Sequence, residues 1–290
     1  MISSNLFVVN IKGGFGNQLF QYNFAKHLRD HGFKVKINNS FYSNTVNKPE
    51  VTNRKEILNC DLFDFEKINK YENYLIKKLI SIGEKKRFKF FSTFYKKRIF
   101  NTFKEKNFNI LSTFPRIVYC DGYWQDLDFM NDDGNFIKSN LIKIPTIKEA
   151  LTKGVLENSF MLIVRRGDYI KMEQDLKLEY YKRCLEIANN LADKPIINVF
   201  TDDVHWVKQQ KIFNDVNSIT GPEEDADNVI DLFSKMIQNK NYFVGNSTFS
   251  FFAALVGKKG DSKVYVAEPW FRNRETKNLL HPEWLRIKND

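Results

Sequence analysis

Three groups of polar side chains break out of apolar runs in the second half of the chain. Arg165 and Arg166, with Gly167-Asp168-Tyr169 after them, end the run that starts at Phe160. Asp202 and Asp203 end the run from Ile196, and Asn246-Ser247-Thr248 follow Tyr242–Gly245 and open an apolar stretch from Phe249. An arginine offers a planar fork of donors that stays charged and grips a phosphate through paired hydrogen bonds. A helix that begins at Ser247 or Thr248 leaves its first amides open to an anion. A carboxylate such as Asp202 or Asp203 accepts from a base or a ribose. Each group also has a structural reading. Arginines pair with structural carboxylates, and Ser and Thr are preferred N-caps.

These groups need elements that bring them together. Phe160–Arg165, Ile196–Phe200, Val216–Thr220, Tyr242–Val244 and Lys263–Ala267 read as strands. Leu178–Leu191, Asn228–Gln238 and Phe249–Val256 read as helices between them. Such alternation gives a right-handed parallel α/β sheet, whose strand ends share one ligand-binding edge. The groups at 165–166, 202–203 and 246–248 then converge on one nucleotide-like ligand.

A second turn of this kind opens the chain. Leu6–Ile11 reads as a strand, Gly13-Gly14-Phe15-Gly16 as a turn, and Asn17 and Gln18 as the start of a helix. Gly32 is the expected C-cap, and Lys34–Asn38 the next strand. Later glycines of a dinucleotide fingerprint are absent, and no acid ends the second strand, so a dinucleotide cofactor is not expected. Arg116–Tyr123 reads as a returning strand, and 136–149, with Pro145, as a linker. The expected domains are 1–150, with a basic helical insertion, and 151–290.

Composition sets the limits. The 290 residues are 42% hydrophobic and 28% charged, enough for two ordinary cores. Three separated cysteines indicate a reducing compartment and no zinc site. The first residues read as a strand rather than a signal peptide, and no apolar run approaches the ~20 residues that cross a bilayer. The expected location is cytoplasmic. Net charge is +10, and between Lys77 and Lys106 nine lysines and two arginines face only Glu84 and Glu105. That stretch reads as a solvated face, a contact with anionic membrane, or a nucleic-acid patch. No nucleic-acid module accompanies it.

GGFGNQLFQY (13–22), VRRGDY (164–169), FTDD (200–203) and GNSTFSFFAAL (245–255), in this order, resemble bacterial α-1,2-fucosyltransferases of glycosyltransferase family 11. The resemblance implies a GT-B-like fold, two Rossmann-type domains facing across a cleft, with the donor in the C-terminal half. It implies transfer of L-fucose from GDP-β-L-fucose to the 2-hydroxyl of a galactoside, with inversion and no required metal, in O-antigen or capsule synthesis. It implies that Arg165 contacts the diphosphate with Arg166 beside it, and that Asp202 or Asp203 lies near the guanine. Asn246, Ser247, Thr248 and Phe249 would hold the phosphates. Gly14, Phe15, Gly16, Asn17 and Gln18 would line the acceptor side. Where that family usually carries His, two residues before the first arginine, this chain has Ile163, and His205 is a possible substitute.

The chemistry makes its own demands. Leaving-group charge builds on the diphosphate, so Arg165 must stabilise it. Inversion also calls for a base, and Asp168 and Glu173 are the nearest carboxylates in sequence. Asp168 is expected instead to orient Arg166. His27 and His31, a helical pair without a third ligand, and Asp126-Leu127-Asp128 are weak metal candidates. The acids 223–227 read as a solvated loop. Alternatives are a GDP-sugar transferase of other linkage or acceptor, and a basic membrane- or nucleic-acid-binding protein. The acceptor glycan is expected to be lipid-linked at the inner membrane.

Overall fold

The computed structural model describes residues 5–43, 56–84, 100–103, 116–130, 132–221, 229–272 and 278–289. It divides into two compact units, Met1–Gln125 with Phe129–Asn131, and Asp126–Asp128 with Asp132–Asp290.

The first unit is built on five parallel strands: β1 (Leu6–Asn10), β2 (Lys34–Asn38), β3 (Glu66–Lys67), β4 (Phe100–Phe103) and β5 (Ile117–Cys120). They lie in the order β3-β2-β1-β5-β4, so the direction of winding changes between β1 and β5. Its helices are α1 (Phe15–Asp30), α2 (Ser40–Ser43) and α3 (Lys70–Glu84). Helix α1 begins two residues before the expected Asn17, because Gly14 is still extended at φ −81°, ψ 176°. It ends as expected at Gly32, whose φ is +80°. Gly32 N–H donates to Arg29 O and Phe33 N–H to Leu28 O, the paired bonds of a Schellman cap. Trp124 is fully buried and stacks on Phe24 with ring centroids 3.9 Å apart. A buried lysine, Lys36 on β2, is held by Glu66 at 2.8 Å and Glu72 at 2.7 Å.

The second unit has six parallel strands: β6 (Ser159–Val164), β7 (Ile196–Thr201), β8 (Ser218–Thr220), β9 (Asn241–Phe243), β10 (Val264–Glu268) and β11 (Leu285–Lys288). Their order is β11-β10-β9-β6-β7-β8. The chain starts in the middle at β6, winds out to β8, then returns to the other side through β9, β10 and β11. That is the doubly wound order, with its switch point between β6 and β9. All six residues of β6 are buried, which explains its unbroken apolar sequence. The helices are α4 (Asn135–Leu141), α5 (Pro145–Thr152), α6 (Gly167–Lys171), α7 (Leu178–Leu191), α8 (Val204–Gln209), α9 (Val229–Met236) and α10 (Thr248–Gly257). Both units are thus Rossmann-type α/β layers, the class expected of each half.

Two sequence readings are corrected. The supposed linker is two helices with Ile137, Leu141 and Ile147 buried, and it belongs to the second unit. Pro145 does not interrupt a helix. It occupies the first turn of α5, where its missing N–H costs nothing. The sheet also continues beyond Val264–Glu268 into β11, an edge strand with only Ile287 buried. Of the basic stretch, 77–84 lie on α3 and 100–103 form β4. Residues 85–99 and 104–106, like the acids 223–227, lie outside the described residues. Among the described residues no helix is long and apolar enough to cross a membrane.

Candidate functional site

At the switch point of the second unit the carboxyl ends of β6 and β9 are adjacent, and β7 flanks β6. The predicted groups therefore do come together. Arg165 Nη1 lies 2.7 Å from Asp202 Oδ2, and its Nη2 lies 2.6 Å from Asp168 Oδ1. Burial alone would weaken the guanidinium's hold on its proton. The charges of Asp202, then of Asp168, outweigh that and keep it above its ordinary value. Arg166 N–H donates to Asp202 Oδ1 at 2.8 Å, and its Nε to Asp203 Oδ2 at 3.2 Å. Its guanidinium also stacks over Trp206 at 3.9 Å. Asp203 caps α8 through the Trp206 N–H at 3.0 Å. Asp202 and Asp203 are thus engaged by the arginines and the backbone. Asp168 orients Arg165 rather than the expected Arg166, because α6 turns position 168 back over 165.

The loop after β9 is built for close approach. Gly245 has φ +62°, and a Cβ there would sit 2.9 Å from Ile163 Cγ2. Ile163, where the histidine was expected, is buried against this glycine. Asn246 donates to Gln174 O at 2.8 Å, and Tyr169 OH donates to Asn246 O at 3.0 Å. The Asn246 side-chain oxygen is buried and has no hydrogen-bond partner. Ser247 holds the N-cap position of α10 but makes no side-chain cap bond, and no acid lies in the first turn. The capping reading of Ser247 is therefore not what the structure shows. Thr248 and Phe249 begin the helix. An uncapped, acid-free helix start suits a phosphorylated ligand.

Several contributors were not legible in the sequence. Gln174 accepts from the Arg272 N–H at 3.0 Å, and Asp175 lies 3.6 Å from Arg166 and 3.9 Å from Arg272. Arg272 also donates to Asp175 O. None of these ends an apolar run, the signal used to find the others. Glu173 is exposed in a turn with φ +55°, and His205 is exposed on α8, bonded to Gln209.

The first unit has its own polar cluster, at the β1/β5 switch point. Gly13, at φ +83°, turns the chain out of β1, and a Cβ there would meet Asn17 Nδ2 at 2.9 Å and the Tyr123 ring at 3.0 Å. Gln18 is structural: it accepts from Ile57 and Leu58 N–H groups and donates to Gly13 O. Asn17 is half-buried, with Gln125 donating to its Oδ1 at 2.7 Å. Gly14 stands at the N-cap of α1, and Phe15 and Gly16 form its buried first turn. Asp121, missed in the sequence, accepts from Lys12 at 2.6 Å and Asn10 at 3.0 Å. The rings of His27 and His31 lie 4.4 Å apart, tilted by 44°, and among the described residues no cluster of three metal-ligating side chains occurs.

Comparison with known proteins agrees with these motifs. The model of the family described as "Glycosyl transferase family 11" matches residues 6–288. The O-antigen biosynthesis glycosyltransferase WbnK of Escherichia coli is 24% identical, over 96% of this chain and 99% of that protein. An alpha-1,2-colitosyltransferase of Escherichia coli is 25% identical, over 98% and 99%. Among solved structures, fucosyltransferase NodZ from Bradyrhizobium is 14% identical, covers 88% of this chain and 93% of its own, and has a TM-score of 0.44.

Proposed function

The chain belongs to glycosyl transferase family 11, and from that premise we propose that it moves L-fucose from GDP-β-L-fucose to the 2-hydroxyl of a galactoside. It is a glycosyltransferase of glycan synthesis; the donor, the linkage and the acceptor are our reading. In this reaction the bond from the sugar C1 to the diphosphate oxygen breaks, and GDP departs with the electron pair. The acceptor oxygen bonds to C1 from the opposite face, and its proton passes to a base.

The observation that carries the reading is Arg165 at the switch point, beside the uncapped start of α10. A fixed guanidinium and helix amides stabilise the charge on departing GDP more than that on bound donor. Arg165 takes the diphosphate, with Arg166 supporting it. Asn246, Ser247, Thr248 and Phe249 seat the phosphates, and Asp202 or Asp203 reads the guanine. The acceptor galactoside uses Gly14, Phe15, Gly16 and Asn17, held in place by Gln18, and to these we add Asp121. Asp168 and Glu173 are the candidate bases. No metal or other cofactor takes part in this scheme, and no nucleic acid does. The glycan joins an O-antigen or capsule, on a lipid-linked acceptor at the cytoplasmic side of the inner membrane.

The colitosyltransferase relative favours one second reading, a GDP-sugar transferase with another sugar or linkage. Titration calorimetry in EDTA with GDP, GDP-fucose and UDP, followed by transfer assays on galactosides, separates them. GDP and GDP-fucose are expected to bind and UDP not to. Binding of GDP without fucose transfer selects the second reading, and absence of any GDP binding overturns both.

A further inference from the structure

Helix α3 has two faces with different surroundings. Ile76 packs with Val8, Ile68 and Tyr119, and Leu79 and Ile80 lie against the same cluster. The other face carries Tyr71, Tyr74 and Leu75, which are 69%, 60% and 38% exposed. Positions 71, 74, 75 and 78 stand three and four apart, so they form one stripe. Around this stripe lie the exposed lysines Lys70, Lys77 and Lys78. The acids that could neutralise them are used elsewhere, since Glu66 and Glu72 both bind Lys36. Among the described residues none of these three lysines forms an ion pair.

A plain solvated face would not hold two tyrosines and a leucine side by side, and a docking groove for a neutral protein would not be ringed by lysines that no described acid neutralises. Tyrosine has an apolar body and a polar tip, and lysine an apolar stem under a charged head. Both suit the boundary between acyl chains and headgroups. The charge of the ring selects an anionic surface. We propose that α3 lies on an anionic phospholipid bilayer, with Tyr71, Tyr74 and Leu75 at headgroup depth and Lys70, Lys77 and Lys78 over acidic phosphates. Membrane contact then begins with an aromatic stripe on a folded helix, ahead of most of the basic stretch that the sequence singled out. It holds whichever sugar is transferred.

The test is sedimentation of the full chain with vesicles of phosphatidylcholine alone and with added phosphatidylglycerol. Binding is expected only with phosphatidylglycerol, and it should weaken at high salt. The double variant Tyr71→Ser/Tyr74→Ser, which leaves the charge unchanged, should lower the bound fraction several-fold. The triple variant Lys70→Glu/Lys77→Glu/Lys78→Glu should abolish binding. All these side chains point to solvent, so the circular dichroism melt should match that of the parent. In Tyr74→Trp, the indole emission should shift to the blue on binding and be quenched by brominated acyl chains. Binding that ignores the tyrosine substitutions overturns the proposal in favour of the basic stretch acting alone. Absence of vesicle binding overturns it outright. Self-association without lipid that the tyrosine substitutions remove would make the stripe an interface with a second copy instead.

Discussion

Asp202 holds both arginines of the β6 loop with one carboxylate, its Oδ2 lying 2.7 Å from Arg165 Nη1 and its Oδ1 accepting the Arg166 N–H at 2.8 Å. Strand β7 thereby fixes where β6 delivers its charge. Gly167 belongs to the same arrangement, because a Cβ there would fall 2.6 Å from Asp202 Oδ2. Asp202→Asn keeps an acceptor for the backbone but presents an amide or a neutral oxygen to Arg165. Donor kcat/KM is expected to fall about tenfold or more, which corresponds to roughly 1.4 kcal/mol, mainly through KM. Steady-state kinetics with varied GDP-fucose measures it. Unchanged kinetics would separate Asp202 from the grip.

Arg165→Ala removes the guanidinium proposed to meet the leaving diphosphate. A loss of about 10²–10³ in kcat is expected, typical of one preorganised electrostatic donor. Arg165→Lys keeps the charge but not the fork and should recover only part of the rate. Activity of Arg165→Ala within a few-fold of the parent would remove Arg165 from the mechanism.

The two candidate bases differ in surroundings. Asp168 is bound to Arg165 at 2.6 Å, and Glu173 is exposed in a turn. Asp168→Asn should therefore lower transfer at least tenfold, while Glu173→Gln should stay within about twofold, a difference of roughly 1 kcal/mol or more. A pH–rate profile of each variant tells a lost base from a misplaced arginine, because only a lost base removes the acid limb.

Gly245→Ala should destabilise the fold by about 1–3 kcal/mol, since its φ of +62° and the nearby Ile163 Cγ2 both resist a side chain. Gly154→Ala, with nothing within 4 Å of the added carbon, is the control and should be nearly neutral. Chemical denaturation of both compares them.

The Lys36 cluster makes stability depend on pH. The Lys36 hydrogen bond is the largest cause acting on Glu72, and it holds that carboxyl below its usual 4.5 despite burial. A depressed carboxyl stabilises the fold above its unfolded value and loses that contribution as pH falls through the folded one. Lys36 itself is raised above 10.5, first by Glu66 and then by Glu72, so its contribution is full below that value and lost at higher pH. Lys36→Met should cost about 1–3 kcal/mol at neutral pH, and less once Glu72 is protonated. Urea melts at neutral pH and below the depressed Glu72 titration would show the gap narrow. An equal gap at both would uncouple the pair.

Strands β6, β9 and β10 were legible because they are buried on both faces, so their sequences are largely apolar until the ligand edge. Helix α7 was found at its observed limits for the related reason that Tyr181, Cys184 and Ala188 repeat on one buried side. Strand β11 was not, because an edge strand with one buried residue carries no such run. Pro145 misled for a positional reason: the same residue breaks a helix interior and begins a helix. The partner of Asp168 was set by the Arg166 backbone, φ −129° and ψ −61°, which starts α6. No spacing rule reports that angle. Arg272 and Asp175 are brought in by the fold from segments without a strand-end pattern.

Cys60, Cys120 and Cys184 are all buried free thiols, and burial pushes each of them up. Thiol reagents attack the thiolate, which these groups do not offer while the chain is closed. Labelling of the native protein therefore counts openings rather than molecules. Cys60 and Cys120 keep time for the first unit and Cys184 for the second, so one reagent followed by mass spectrometry reads two unfolding clocks in a single chain.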